Sequence, residues 1–89
     1  MQAKTFEKGN FVISPAQCRA ARALLDWTQN ELAKRSPVSA VSIRAFEKGG
    51  DMRESNRRSL AEVFEAAGVT FLADGEEKAG GPGVRLSAL

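Results

Sequence analysis

Apolar residues recur along this chain in short helical periods separated by clear punctuation. The first period opens at Ser14-Pro15-Ala16-Gln17. Ser14 can cap a helix, Pro15 suits the first helical position, and Gln17 can close a capping box. Cys18, Ala21 and Leu25 then share one face, with Leu24 beside it, which predicts a helix to about Leu25. Thr28 and Glu31 repeat the capping pattern and open a second helix with Leu32 and Ala33 inward; Pro37 ends it by about Ser36. Ser39 caps a third helix, with Ser42 three residues on, Ile43 and Phe46 inward, and Gly49-Gly50 as its stop. A fourth begins between Asp51 and Asn56, with Asp51, Ser55 and Asn56 as alternative caps. Its stripe is Leu60, Val63, Phe64 and Ala67, and Gly68 stops it.

Beyond Gly68 the period changes. Val69 to Leu72 and Val84 to Leu86 read as two short strands, and the Gly-rich, polar stretch between them reads as a loop. Phe11-Val12-Ile13 is β-prone and allows one more short strand; Met1 to Gly9 reads as a flexible arm. The pattern predicts a mainly α fold, four or five helices followed by a short C-terminal β-hairpin.

Composition narrows the chemistry. At 89 residues the chain forms one small domain, in which a deep catalytic pocket between lobes is not expected. With one Cys and no His it has no internal disulfide, no soft-metal cage and none of the commonest general base. We therefore expect no enzyme, no metal and no cofactor. Cys18 has apolar neighbours at helical spacing and reads as core, and Trp27 as a packing cover. There is no apolar run near the length of a membrane span and no apolar leader, so a cytoplasmic protein without a membrane partner is expected. The net charge of +2 hides an asymmetry. Residues 14–58 carry nine Lys/Arg against five Asp/Glu, whereas residues 59–89 carry two against five. The basic surplus thus sits in one contiguous block, a candidate phosphate-facing surface.

The most informative stretch is Gln29 to Glu47, two short helices joined by a turn of three or four residues, a helix-turn-helix arrangement. Leu32 packs inward, Ala33 is small where the next helix crosses, Val38 plugs the turn, and Ile43 and Phe46 form the inner face of the following helix. The outer face of that helix carries Ser39, Ala40, Val41 and Arg44, with Ala45 at its edge. Short side chains there let a helix backbone enter a major groove about 12 Å wide.

Gln29, Leu32, Ala33, Val38, Ile43, Phe46 and Glu47, with the upstream runs Arg19 to Leu25 and Trp27-Thr28-Gln29, resemble the helix-turn-helix of the phage repressor and Cro superfamily, also called the XRE family. The resemblance covers about Ser14 to Gly68 and departs at Pro37, where the family usually has glycine. It implies residues 14–68 as a helix-turn-helix DNA-binding domain; from the residues themselves, 1–13 read as an N-terminal arm that allows one short strand, and 69–89 as a hairpin and candidate dimerisation element, through its exposed edge or through Val69, Phe71, Val84 and Leu86. It also implies an ion pair between Arg22 and Glu47 joining the first and third helices, and a contact of Gln29 with a phosphate or with the recognition helix.

The expected base-reading set is Ser39, Ala40, Val41 and Arg44 on a recognition helix from about Ser39 to Lys48. Arg44 can make the bidentate contact to guanine, with a phosphate contact or simple solvation as competing roles. Ala40 and Val41 can pack on thymine methyl groups, or Val41 on the turn. The expected phosphate set is Thr28, Gln29, Lys48, Arg53 and Asn56; Arg57 and Arg58 read as solvated. The expected function is sequence-specific binding of double-stranded DNA by a small transcriptional regulator, a repressor-type homodimer on a palindromic operator, associated with the nucleoid through its DNA. The alternative is an antitoxin or adaptor that captures a protein partner and binds DNA only to regulate itself.

Overall fold

The computed structural model describes residues 12–75 and 80–86; residues 1–11, which make up most of the arm expected at residues 1–13, the loop positions 76–79 and residues 87–89 lie outside them. Helix α1 (Pro15–Leu25) starts from a reciprocal box: the Gln17 N–H donates to Ser14 Oγ at 3.1 Å, and the Ser14 N–H to Gln17 Oε1 at 3.0 Å. It ends where Asp26 takes the left-handed conformation, with φ 61° and ψ 38°. Aspartate tolerates this region better than most residues. There the Trp27 N–H closes the turn onto the Arg22 carbonyl at 2.9 Å.

Helix α2 (Gln29–Lys34) begins with a second box, between Thr28 and Glu31. Helix α3 (Ala40–Glu47) is capped by Ser39, whose Oγ accepts the Ser42 N–H at 3.1 Å. The turn between them needs no left-handed residue: among the described residues Asp26 is the sole non-glycine with positive φ. That is how Pro37 is accommodated where the resembled family has glycine. Ser36 Oγ instead accepts the Val38 N–H at 3.2 Å, and Val38 plugs the turn at 4 % exposure. Gly49, with φ 103°, ends α3, a conformation that penalises any side chain.

Helix α4 (Glu54–Ala66) starts after Arg53 without any side-chain cap, so none of Asp51, Ser55 or Asn56 plays the expected role, and the last two lie inside the helix. Gly68, with φ 102°, turns the chain into strand β1 (Val69–Leu72), which pairs antiparallel with β2 (Gly83–Leu86) in the register Val69 with Leu86 and Leu72 with Gly83. The fold is therefore mainly α, with four helices followed by a two-stranded hairpin among the described residues.

One apolar cluster holds these elements together, drawing Cys18 and Ala21 from α1, Leu32 from α2, Ile43 and Phe46 from α3, Leu60, Ala61 and Phe64 from α4, and Val69 and Phe71 from β1. Trp27 covers it, stacked on Phe64 at 5.8 Å between ring centroids, and Phe64 meets Phe71 edge-on at 6.0 Å. Two packing expectations change. Ala67 is exposed, and Ala61 fills the core instead. Val12 and Ile13 are in no strand; Ile13 is buried, and its carbonyl is gripped by Arg57 at 2.7 and 3.1 Å.

The hairpin is part of the core. Val69 and Phe71 are buried within the monomer, so they cannot form the dimer surface expected of them; Leu86 is exposed and Val84 half-buried. The buried amide of Gln17 fixes the hairpin to α1, its Nε2 donating to Leu72 O at 3.1 Å and Gly83 O at 3.0 Å. No helix among the described residues is long and apolar enough to cross a membrane.

Candidate nucleic-acid interface

Helix α3 has two unlike faces. Ile43, Phe46 and Glu47 are buried against the rest of the domain, and α3 packs on both α1 and α2. Ser39, Val41, Ser42, Arg44, Ala45 and Lys48 are exposed, Val41 at 71 %. Three of the four residues expected to read bases therefore stand outward. Ala40 is half-buried, close to the turn. Ser42 is a member of the outer face that the sequence reading left out, although its place three residues after Ser39 puts it there. The hydroxyls of Ser39 and Ser42 bond each other at 3.1 Å.

The orientation of α3 is set by Glu47. Its side chain is 3 % exposed, and both carboxylate oxygens accept from Arg22, Oε2 from Nε at 2.8 Å and Oε1 from NH2 at 2.7 Å. This is the ion pair that the resemblance implies, in its bidentate form. Gln29 Nε2 adds a bond to Oε1 at 2.9 Å, and the Cys18 thiol donates to Oε2 at 3.1 Å. Arg19 holds the Glu47 backbone carbonyl, and Arg22 NH1 reaches back to Trp27 O at 3.0 Å. Helices α1, α2 and α3 thus meet at one carboxylate.

The ionisations follow. Burial alone would raise the Glu47 carboxyl, but the hydrogen bonds from Arg22, Gln29 and Cys18 outweigh it and hold the group below the usual carboxylate range. The bond to Glu47 keeps Arg22 firmly charged. Burial, then the bond to Glu47, pushes the Cys18 thiol far up, which makes it an inert core donor.

One bond links this buried network to the outer face. Arg44 Nε donates to Gln29 Oε1 at 3.3 Å, so Arg44 is tethered through Gln29 to Glu47. The phosphate set is divided. Gln29 is occupied by Glu47 and Arg44, and Thr28 by its capping box with Glu31. Lys48 and Arg53 are exposed at the two ends of the α3–α4 connection, with Asn56 half-buried on the first turn of α4.

Of the two arginines expected to be solvated, Arg58 is so, in an exposed pair within α4, whereas Arg57 is not. Arg57 holds Ile13 and lies over the Phe46 ring at 5.2 Å, and Arg58 pairs with Glu54 at 2.6 Å. Arg19, Gln17 and Arg57 are the positioning residues that sequence reasoning missed; each works through a contact distant in sequence. Among the described residues no group of three His, Cys, Asp or Glu is placed to hold a metal.

Comparison with family models and with curated proteins finds no match to this chain.

Proposed function

We propose that the protein is a sequence-specific double-stranded DNA-binding regulator of the repressor and Cro type, with α3 entering the major groove. The observation that carries this reading is the division of α3. Its inner face is locked by Phe46, Ile43 and the Glu47 network, while its outer face presents short side chains and one tethered arginine to solvent. A rigid helix with small outward residues is what close approach to base edges requires. The tether supports Arg44 as the guanine reader, since a guanidinium held in place loses less freedom on binding. In this reading Gln29 acts through Arg44, and Lys48, Arg53 and Asn56 grip the backbone to set register.

Homodimeric binding is part of the proposal. Leu24 on α1 and Leu86 on β2 are exposed apolar residues on two elements that pack together, and they are the candidates for contact with a second copy. Such a dimer would bind half-sites about one helical turn apart, about 10 bp, or a multiple of that. Selection of bound duplexes from a random pool at moderate salt is the test. Recovery of a palindromic site with that spacing supports the reading; recovery of no enriched sequence contradicts it.

A further inference from the structure

Beside α3 the surface is concave. Val41, Ala45 and Met52 form the apolar part of a cleft of about 350 Å³ between the outer face of α3 and the start of α4. Val41 and Ala45 are one turn apart and stack along the same side of the helix. Met52, half-buried and packed on the core, closes the cleft from the α3–α4 connection. A single exposed valine is ordinary on a protein surface. Val41 differs in facing a second element across a formed depression, and its branched side chain is not a good helix former, so helix stability does not account for it.

The rim argues for an uncharged occupant. Asp51 and Arg53 both line the cleft, one carboxylate and one guanidinium, with Ser42 and Asn56 as neutral polar neighbours. Within the cleft Asp51 offsets Arg53, and the lack of net charge favours no ion. The nearest hydroxyl on α3, Ser42, is bonded to Ser39. What the site offers is a small apolar surface on the side of a helix that, in the proposed function, lies in the major groove. Duplex DNA shows one apolar feature in that groove, the methyl group on pyrimidine C5.

We infer that the Val41–Ala45–Met52 cleft is a specificity element that takes a pyrimidine 5-methyl group. This inference rests on the DNA-binding reading and refines it. Ala40, half-buried near the turn, is outside the cleft, so Val41 is separated from the neighbour with which the sequence grouped it. Thymine and 5-methylcytosine both carry the group, and either can fill the site.

The test uses the full chain and a duplex selected from a random pool. Each thymine is replaced singly by deoxyuridine, and each cytosine singly by 5-methyldeoxycytidine, and affinity is read by fluorescence anisotropy at fixed salt. The expected result is one position per half-site at which the methyl group strengthens binding by roughly fourfold, the value of one buried methyl. A thymine position identifies thymine as the natural occupant; a cytosine position identifies methylated cytosine. In Val41→Ala, whose helix is no less stable by propensity, that methyl effect shrinks towards unity while unmodified duplex still binds. Methyl-insensitive binding at every position, or a methyl effect unchanged in Val41→Ala, overturns the inference and leaves DNA binding standing. Failure to bind any duplex overturns both.

Discussion

Without the Arg22 guanidinium, the Glu47 carboxylate would stay buried with Gln29 and Cys18 as its side-chain donors. Breaking such a pair by removing one partner costs about 3 kcal/mol or more, whereas replacing both by apolar residues is often neutral. Arg22→Ala is therefore expected to lower unfolding free energy in urea by about 3 kcal/mol. The double variant Arg22→Met with Glu47→Leu should be more stable than either single one. A double variant no better than the sum of the singles would show that the pair is not coupled. The pH dependence has a definite sign. The folded state holds the Glu47 carboxyl below its ordinary range, so it binds that proton more weakly than the unfolded chain does. The pair's stabilisation is fully present above the ordinary glutamate pKa of about 4.3 and is lost as pH falls through and below it. The melting temperature should hold from neutral pH to about pH 5 and then fall. Glu47→Gln should start lower at pH 7 and show a shallower acid slope. Much at this scale is local and was legible. Ser14, Thr28 and Ser39 cap their helices through bonds three residues away. Gln17 was legible as a capping residue, yet its bonds to Leu72 and Gly83 span 55 and 66 residues, which no local pattern reports.

At the scale of elements, the helices and strands follow from their punctuation, and the errors fall where punctuation is missing. Helix α4 has no capping side chain, so three false starts competed with the real one at Glu54. Ala67 and Ala61 are both alanines on a helical period, and the choice between them is made by what packs against α4. The hairpin is visible as two strands, but its burial is not, because that depends on α1 and α4 packing against β1 as well as on its pairing with β2. Gln17 provides the check. Removing its amide takes two donated bonds from the Leu72 and Gly83 carbonyls. Gln17→Ala should cost roughly 1–3 kcal/mol and lower hydrogen-exchange protection across β1 and β2 more than across α3. Equal loss of protection in all elements would mean that Gln17 does not single out the hairpin.

At the scale of the whole molecule, the division of charge that the sequence showed finds a place in the fold. Lys48 and Arg53 project freely beside α3, while Arg22 and Arg57 are spent inside on Glu47 and Ile13. A raw count of nine basic residues in that block therefore overstates the charge left on its surface. If Lys48 and Arg53 each neutralise a phosphate while Arg44 reads a base, the logarithm of affinity per monomer should fall with the logarithm of salt at a slope of about −2. Arg53→Ala should reduce that slope by about 1 and weaken binding equally on all sequences. A slope near zero would remove the basic face from the account. The outer face of α3 remains the central claim, and amide chemical shifts recorded by NMR during titration with a selected duplex test it most directly. The largest shifts are expected on Ser39 to Lys48, with a second group at Arg53 and Asn56, while β1, buried within the monomer, stays near its free position. Shifts concentrated on the hairpin and on Leu24, with α3 unmoved, would contradict it.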